Sequence, residues 1–321
     1  MLNSHYPIDS AAASVEHWAS ILRRDGAPLI ASGLAQPVCD IDIDKISIKV
    51  MDGGRHAKAM ITKADGGRQE AVGTMVGVIR RKDLPPVRKH QLNAAKVPFA
   101  RQHVSIVGLN TLSYQRALDN IYNICYAMHV GLPDAKVIQP TFDNLENLGV
   151  AIDLNCRYFT VGRDSSSAQK IAVDDQIDPD GVLHQFLNET VSHCIDNRVS
   201  YMRYTDDSSV EEKSPACFQV GDVVEVGYAF VGWRTGKRSE GLKYTCTLVL
   251  RSIALLEDKY SKEMFFKQSF PPKVPKHITT DIDSVPIFLK RSRSQDTMVD
   301  EEPTSQKMAR LNLSDRPLIY L

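Results

Sequence analysis

Apolar side chains fall on every second position twice between Phe218 and Leu256, which predicts two strands of one hairpin. The first run is Phe218, Val220, Val224, Val226, Tyr228 and Phe230, broken only by Asp222; the second is Leu242, Tyr244, Cys246, Leu248 and Leu250. Aromatic and β-branched residues suit a pleated, half-buried surface. The connection Gly232–Gly241 carries Trp233, Arg234, Lys237 and Arg238 and is longer than a tight hairpin turn.

The same period marks residues 38–80 as a three-strand meander. Ile41 and Ile43, then Ile46, Ile48 and Val50, form the first strand, Ala57–Thr62 the second and Ala71–Ile79 the third, with Asp52-Gly53-Gly54 and Asp65-Gly66-Gly67 as turns. Neither glycine pair has the Lys-Ser/Thr of a phosphate loop, so both read as turns. A period near 3.6 appears in three places. Val15, Trp18, Ile21 and Leu22 predict a helix ended by Gly26, with Trp18 as its anchor. Tyr114, Ala117, Leu118, Ile121, Ile124, Cys125 and Met128 form one stripe over 111–130, stopped by Gly131 and Pro133. Val182, Leu183, Phe186, Leu187, Val191, Cys194 and Ile195 predict a third helix capped by Asp180. Gly149–Phe159 and Val199–Tyr204 read as further strands, and the prolines after Leu256 predict a disordered tail.

Composition narrows the classes. The chain has 321 residues, 43% hydrophobic and 24% charged, enough for an ordinary core. Basic and acidic side chains balance at 39 each, so there is no global pull toward polyanions and any such binding must be local. The six cysteines (Cys39, Cys125, Cys156, Cys194, Cys217 and Cys246) stand singly with no CxxC pair, and read as reduced, buried thiols. No signal peptide or long apolar span is present, so the expected location is nuclear or cytoplasmic, with no membrane partner and no secretion. Lys290-Arg291-Ser292-Arg293 is a candidate import signal.

Local charge supplies the candidates. Arg80–Arg101 holds Arg80, Arg81, Lys82, Arg88, Lys89, Lys96 and Arg101 against Asp83 alone, with Phe99 its one aromatic. Such clusters either contact phosphates or form a solvated connector. Asp164, Asp174, Asp175, Asp178 and Asp180 form an acidic stretch, but the spacing is not that of a calcium loop. His184 and His193 are nine apart and miss the zinc-helix pairing, and there is no GxSxG elbow. No catalytic residue, metal ligand or cofactor is assigned.

The string VGDVVEV at 220–226 with LRSIALL at 250–256, together with the Asp178–Gly181 helix and the strand Val199–Tyr204, resembles a multi-copy group of uncharacterised proteins of mushroom-forming fungi over about residues 149–258. The resemblance implies no established activity and carries over no site residues. Independently, a strand entering with Gly221-Asp222 and pairing through a long basic loop is similar to part of an OB-type barrel, whose alternative here is a β-sandwich.

The expected fold is therefore α+β. Its parts are an N-terminal helix and linker (1–37), a β-meander with basic segment and helix (38–148), an OB-like antiparallel barrel or sandwich (149–257), and a mostly disordered tail (258–321). Whether the two middle parts share a core is open, as is the oligomeric state. The leading functional expectation is a non-enzymatic protein that binds single-stranded nucleic acid. Trp233 would stack on a base, with Arg234, Lys237, Arg238 and Lys243 on phosphates and help from Arg80, Arg81, Arg88 and Lys89. The alternatives are a protein-interaction or scaffold module, favoured by the neutral net charge, and a metal-dependent hydrolase built on Asp174, Asp175, Asp178 and Asp180.

Overall fold

Strands whose two faces are both apolar must be covered on both sides, and Val72–Ile79 and Val223–Gly232 are buried without interruption. In the computed structural model, which describes residue 2 and residues 5–25, 35–63, 66–88, 94–162, 169–205, 209–236 and 241–269, these runs belong to a closed barrel. The expected cap Gly26, the turn residue Asp65, Asp164, Lys89, Lys237, Arg238 and the basic tetrad at 290–293 lie outside the described residues.

The long strands in chain order are β1 (Ile46–Met51), β2 (His56–Thr62), β3 (Val72–Asp83), β4 (Arg101–Val107), β5 (Gly149–Arg157), β6 (Ser200–Tyr204), β7 (Val223–Thr235) and β8 (Leu242–Glu257). Five of them close on themselves. β3 pairs with β4, β4 with β5, β7 with β8 and β7 with β3, all antiparallel, while β5 meets β8 in parallel at Asn155 and Val249. Counting the barrel strands one to five, the circular order is 1-2-3-5-4-1, the Greek-key connectivity of an OB barrel. The barrel is thus closed rather than a sandwich of two open sheets.

Both middle segments of the chain build this one barrel. β3 and β4 come from 38–148, β5, β7 and β8 from 149–257, and their inward residues merge into a single core. Ile79, Ile106, Ile152, Leu154, Tyr228 and Phe230 lie in it, together with the stripe of α2 (Leu112–Val130). All seven stripe residues expected from the sequence are buried. A second cluster covers part of the barrel's outer wall. There α1 (Ile8–Asp25) and α3 (Lys259–Ser269) pack Ala11, Val15, Tyr260 and Met264 on Val76, Val78, Val107 and Ala254. Trp18 anchors α1 by donating from Nε1 to Glu257 (2.8 Å) and by packing on the Tyr204 ring (5.8 Å between centroids).

Four expectations need correction. The meander is not a three-strand sheet: β1 and β2 pair, but β7 lies between β2 and β3. Arg68–Glu70 pairs with β2, and beyond Ala71 the chain moves to β7 as β3, because β7 meets β2 only at Val231–Trp233 and β3 along Val223–Ala229. Residues 38–45 form two 3-10 turns rather than the start of the first strand. The tail begins later than expected, because 259–269 is helical and held by the Tyr260 hydroxyl donating to Ser10 O (2.8 Å) and the edge contact of Tyr260 with Tyr6.

The largest correction concerns 182–195, which is not a helix. Asp178, not Asp180, takes the backbone N–H groups of Val182 (2.7 Å), Leu183 (2.8 Å) and His184 (3.1 Å) and faces the His184 ring at 2.9 Å. The turn so started stops at Leu187, which is extended, and the Asn188 side chain then accepts from Thr190 and Val191. Local side-chain acceptors thus outcompete the helix ladder. Val182 and Leu183 are buried in a satellite core with Phe159, Val173, Ile177 and, from the β3–β4 connection, Val87 and Val97; Phe186, Leu187 and Val191 pack against it, whereas Ile195 is exposed.

Asp178→Ala removes three charge-assisted acceptor bonds, each worth ~1.5–3 kcal/mol. Hydrogen exchange is expected to show the amides of Val182, Leu183 and His184 losing protection while those of β7 and β8 keep theirs. Loss of protection across the barrel instead would mean that the satellite core is not an independent layer.

Candidate functional site

The outer wall that α1 and α3 leave uncovered is where the strand pattern changes. β8 alternates buried and half-buried residues from Tyr244 to Arg251, then is buried continuously to Leu256. Its alternating half presents Thr245, Thr247, Val249 and Arg251 to a groove of about 570 Å3. Asn155 and Arg157 at the end of β5, Arg101 at the start of β4, and Val231, Trp233 and Thr235 on β7 complete the barrel side, with His56 and Lys58 from β2. Residues 195–197 cross over one end.

That crossing strap is held by a charge network. Arg251 donates to both carboxylate oxygens of Glu70 (2.8 Å each) and to Asp196 O (2.8 Å). Lys58 contacts Glu70 (3.2 Å) and both carboxylate oxygens of Asp196 (2.9 and 3.0 Å). Burial pushes the Glu70 carboxyl up, but the bonds and charges of Arg251 and Lys58 outweigh it and hold the pKa at about 2. Two of the groove's cations are therefore already spoken for.

Two others are not. Arg101 and Arg157 stand directly opposite each other on β4 and β5. Arg101 donates only to Phe99 O (3.2 Å) and Asn155 Oδ1 (3.4 Å), and neither arginine meets a carboxylate among the described residues. Burial, and after it the charge of Arg101, push the Arg157 guanidinium's pKa down. Like charges directly opposed across a sheet destabilise it. Arg157 also lies over the Trp233 ring, 5.0 Å from its centroid, and His56 on the adjoining β2 packs against that ring at 5.1 Å. Arg101 further borders a second hollow of about 410 Å3 with Lys96, Phe99 and Tyr158, and there Phe99 is 63% exposed.

Against known proteins, no family model matches the chain and no curated protein matches it. One solved structure is similar, the single-stranded DNA-binding protein from bacteriophage Enc34, C-terminal truncation. The match has 10% identity and a TM-score of 0.27 and covers 67% of this chain and 96% of that one. A superposition that loose carries no argument about fold or function.

The structure brings together only some of the residues singled out from the sequence. Trp233 lies in the groove. Arg234 follows it on the strand and falls on the opposite face, exposed. Lys243 stands opposite Thr235, on the groove's face at its loop end. The cations of the basic segment are directed to carboxylates: Arg80 to Asp143 (3.7 Å), Arg81 to Asp153 (3.6 Å) and Arg88 to Asp180 (3.6 Å). Lys82 is turned inward to Phe218 O, and burial lowers its pKa. Asp178 is taken by backbone N–H groups, Asp174 by Gln176 N, and among the described residues no three metal-ligating side chains converge. No described helix is long and apolar enough to cross a membrane. Arg157 was overlooked because it is one polar residue in an alternating strand, and only the β4–β5 register sets it against Arg101.

Arg251→Ala would leave Glu70 with one cation, and stripping a partner from such a pair costs ~3 kcal/mol or more when buried. The depressed Glu70 pKa stabilises the wild type fully above the ordinary carboxylate pKa, and this contribution is lost as pH falls toward 2. Urea unfolding should therefore show a lower midpoint for the variant at pH 7 and a shallower decline between about pH 4.5 and 2. Equal midpoints at pH 7 would show that the network does not secure the strap.

Proposed function

We propose that this protein binds single-stranded nucleic acid along the open wall of its barrel and catalyses no reaction there. The observation that carries the reading is the facing pair Arg101 and Arg157, which meets no carboxylate among the described residues. A sheet that sets two guanidinium groups opposite each other is less stable for it, and a polyanion relieves the repulsion. The phosphates of a strand fit this pair. Exposed Phe99 on one side and the half-buried Trp233 ring, backed by His56, on the other offer base-stacking surfaces. Thr235, Thr245 and Thr247 add hydroxyls along the groove floor.

The topology supports the same location. In OB barrels, nucleic acid lies on the face of strands two and three between the loops that join strands one to two and four to five. Here those loops are 84–100 and 236–241, the two basic connections of the sequence, and they are rooted at Arg101 and Thr235 in one groove. Because Arg157 rests on Trp233, an entering base either stacks on the guanidinium or moves it aside. The protein-interaction reading has its own support in Phe265 and Phe266, adjacent on α3 and 70% and 64% exposed.

Fluorescence anisotropy with a labelled single-stranded oligonucleotide at several salt concentrations tests the proposal. Arg101→Ala/Arg157→Ala should weaken binding and make the slope of log K against log salt shallower by about 1.4, two phosphate contacts at ~0.7 each. Trp233→Ala should cost ~1–3 kcal/mol per base lost from the stack and leave that slope nearly unchanged. Absence of binding by the wild type at low salt, or an arginine variant that binds as the wild type does, would refute the proposal and leave the protein-interaction reading.

A further inference from the structure

The strap across the groove carries a carboxylate that its own anchoring does not need. Asp196 O accepts from Arg251 (2.8 Å) and from the Cys156 thiol (3.5 Å), and Asn197 O accepts from the Gln102 amide (3.2 Å). The Asn197 side-chain oxygen takes the Thr160 hydroxyl (3.0 Å) and Cys194 N (2.9 Å), and Asn197 is buried. The strap is thus held by its backbone and by Asn197. The Asp196 carboxylate itself meets Lys58, at 2.9 and 3.0 Å, and Arg251 at 4.0 Å, and its side chain is 51% exposed. An ion pair so open to water contributes little to stability.

Lys58 is the more enclosed partner. Its side chain is 13% exposed and rises from β2, a strand outside the five that close the barrel. Lys58 also meets Glu70 at 3.2 Å, but both Glu70 oxygens already take Arg251 donors. The charges of Lys58, Arg251, Glu70 and Asp196 cancel, so turning Asp196 out to water uncovers one positive charge, at Lys58. The ladder places that charge beside the aromatic site. Trp233 stands opposite His56 and Val231 opposite Lys58, so the two pairs follow each other ~6–7 Å apart on one face. All four residues line the groove. With Arg157 over the Trp233 ring, a nucleotide stacked there has a guanidinium toward β5 and Lys58 toward β2.

We propose that Lys58 is a third phosphate-binding residue of the groove, and that the Asp196 carboxylate occupies the phosphate's place until a strand enters. This rests on the nucleic-acid reading above and adds to it a cation that the free protein neutralises itself. A phosphate presents two oxygens to the Lys58 ammonium as the carboxylate does, so one oxyanion replaces another. Asp196 then turns into the solvent it already half faces, while Arg251, Gln102 and Thr160 keep the strap in place. The exchange favours a strand over a small anion. A free anion must displace Asp196 for a single contact, whereas a strand already held at Arg101 and Arg157 delivers its next phosphate at high effective concentration.

A double-mutant cycle on the full chain, read by anisotropy of the same labelled single-stranded oligonucleotide, tests the exchange. Asp196→Ala should tighten binding about two- to fivefold, the strength of the half-exposed ion pair that no longer has to be broken. Lys58→Met, which keeps the stem and leaves Glu70 to Arg251, should weaken binding and make the salt slope shallower by ~0.7. In the Lys58→Met background, Asp196→Ala should bring no gain; Lys58→Arg, which keeps the charge, should retain both the slope and the gain. The proposal is overturned if Asp196→Ala binds no tighter than the wild type. It is equally overturned if the gain persists without Lys58, which would make it simple repulsion, or if Lys58→Met leaves the slope unchanged. If in those cases Arg101→Ala/Arg157→Ala still weakens binding, the groove reading stands and only the role of Lys58 falls. An oligonucleotide bound by neither the wild type nor Asp196→Ala at low salt overturns both.

Discussion

Closing five strands into a barrel requires one hairpin to bend far enough that its two members reach different neighbours, and here that hairpin is β7–β8. Its thirteen residue pairs run from Val223 opposite Glu257 to Thr235 opposite Lys243, with register shifts after Val223 and after Gly227. The second shift falls where a side chain has no room: a Cβ on Gly227 would stand 2.3 Å from Ser252 Oγ. A bulge of this kind adds bend and twist to a strand. Across it β7 completes the ladder to β3 from Val223 to Ala229, and beyond that it continues past the barrel to meet β2 at Val231–Trp233. The bend therefore closes the core and also carries Trp233 out to the open wall.

How far each strand is covered then decides what its outer face can do. The second half of β8, from Ser252 to Leu256, lies beside β6 and under the cluster around α1 and α3, and it is buried on both faces. No described helix lies over the outer face of the first half, and threonines and a valine stand there between buried core residues. One strand thus serves as core wall and as groove floor, and the changeover is at Arg251. That residue ties the groove floor to Glu70 and the strap at Asp196, so the cation at the boundary is structural.

Much of this was legible in the sequence, and what was missed has a physical reason. Alternation in β8 was enough to place the strand. The α2 stripe was readable because a single helix face meets a single core, so a local period is sufficient. The segment 182–195 showed a helical period too, but Asp178 and Asn188 bind its backbone N–H groups and stop the ladder after one turn. Period reports which residues seek burial, and here a satellite core takes up Val182, Leu183, Phe186, Leu187 and Val191 without a helix. Arg157 illustrates the opposite limit, since register between strands more than forty residues apart leaves no local trace.

Charge shows the same division between what composition reveals and what geometry does. The basic segment 80–101 was prominent because its cations are contiguous, yet Arg80, Arg81 and Arg88 each face a carboxylate supplied from a distant part of the chain. A chain with equal numbers of positive and negative side chains can pair most of them, and the paired ones lose much of their pull on a ligand. The field that remains is set by the exceptions. Arg101 and Arg157 are exceptions that the β4–β5 ladder forces together, at a site where one aromatic ring is exposed and another is held by the guanidinium itself. Neutrality of the whole chain thus makes this pair more informative, because no carboxylate among the described residues meets it.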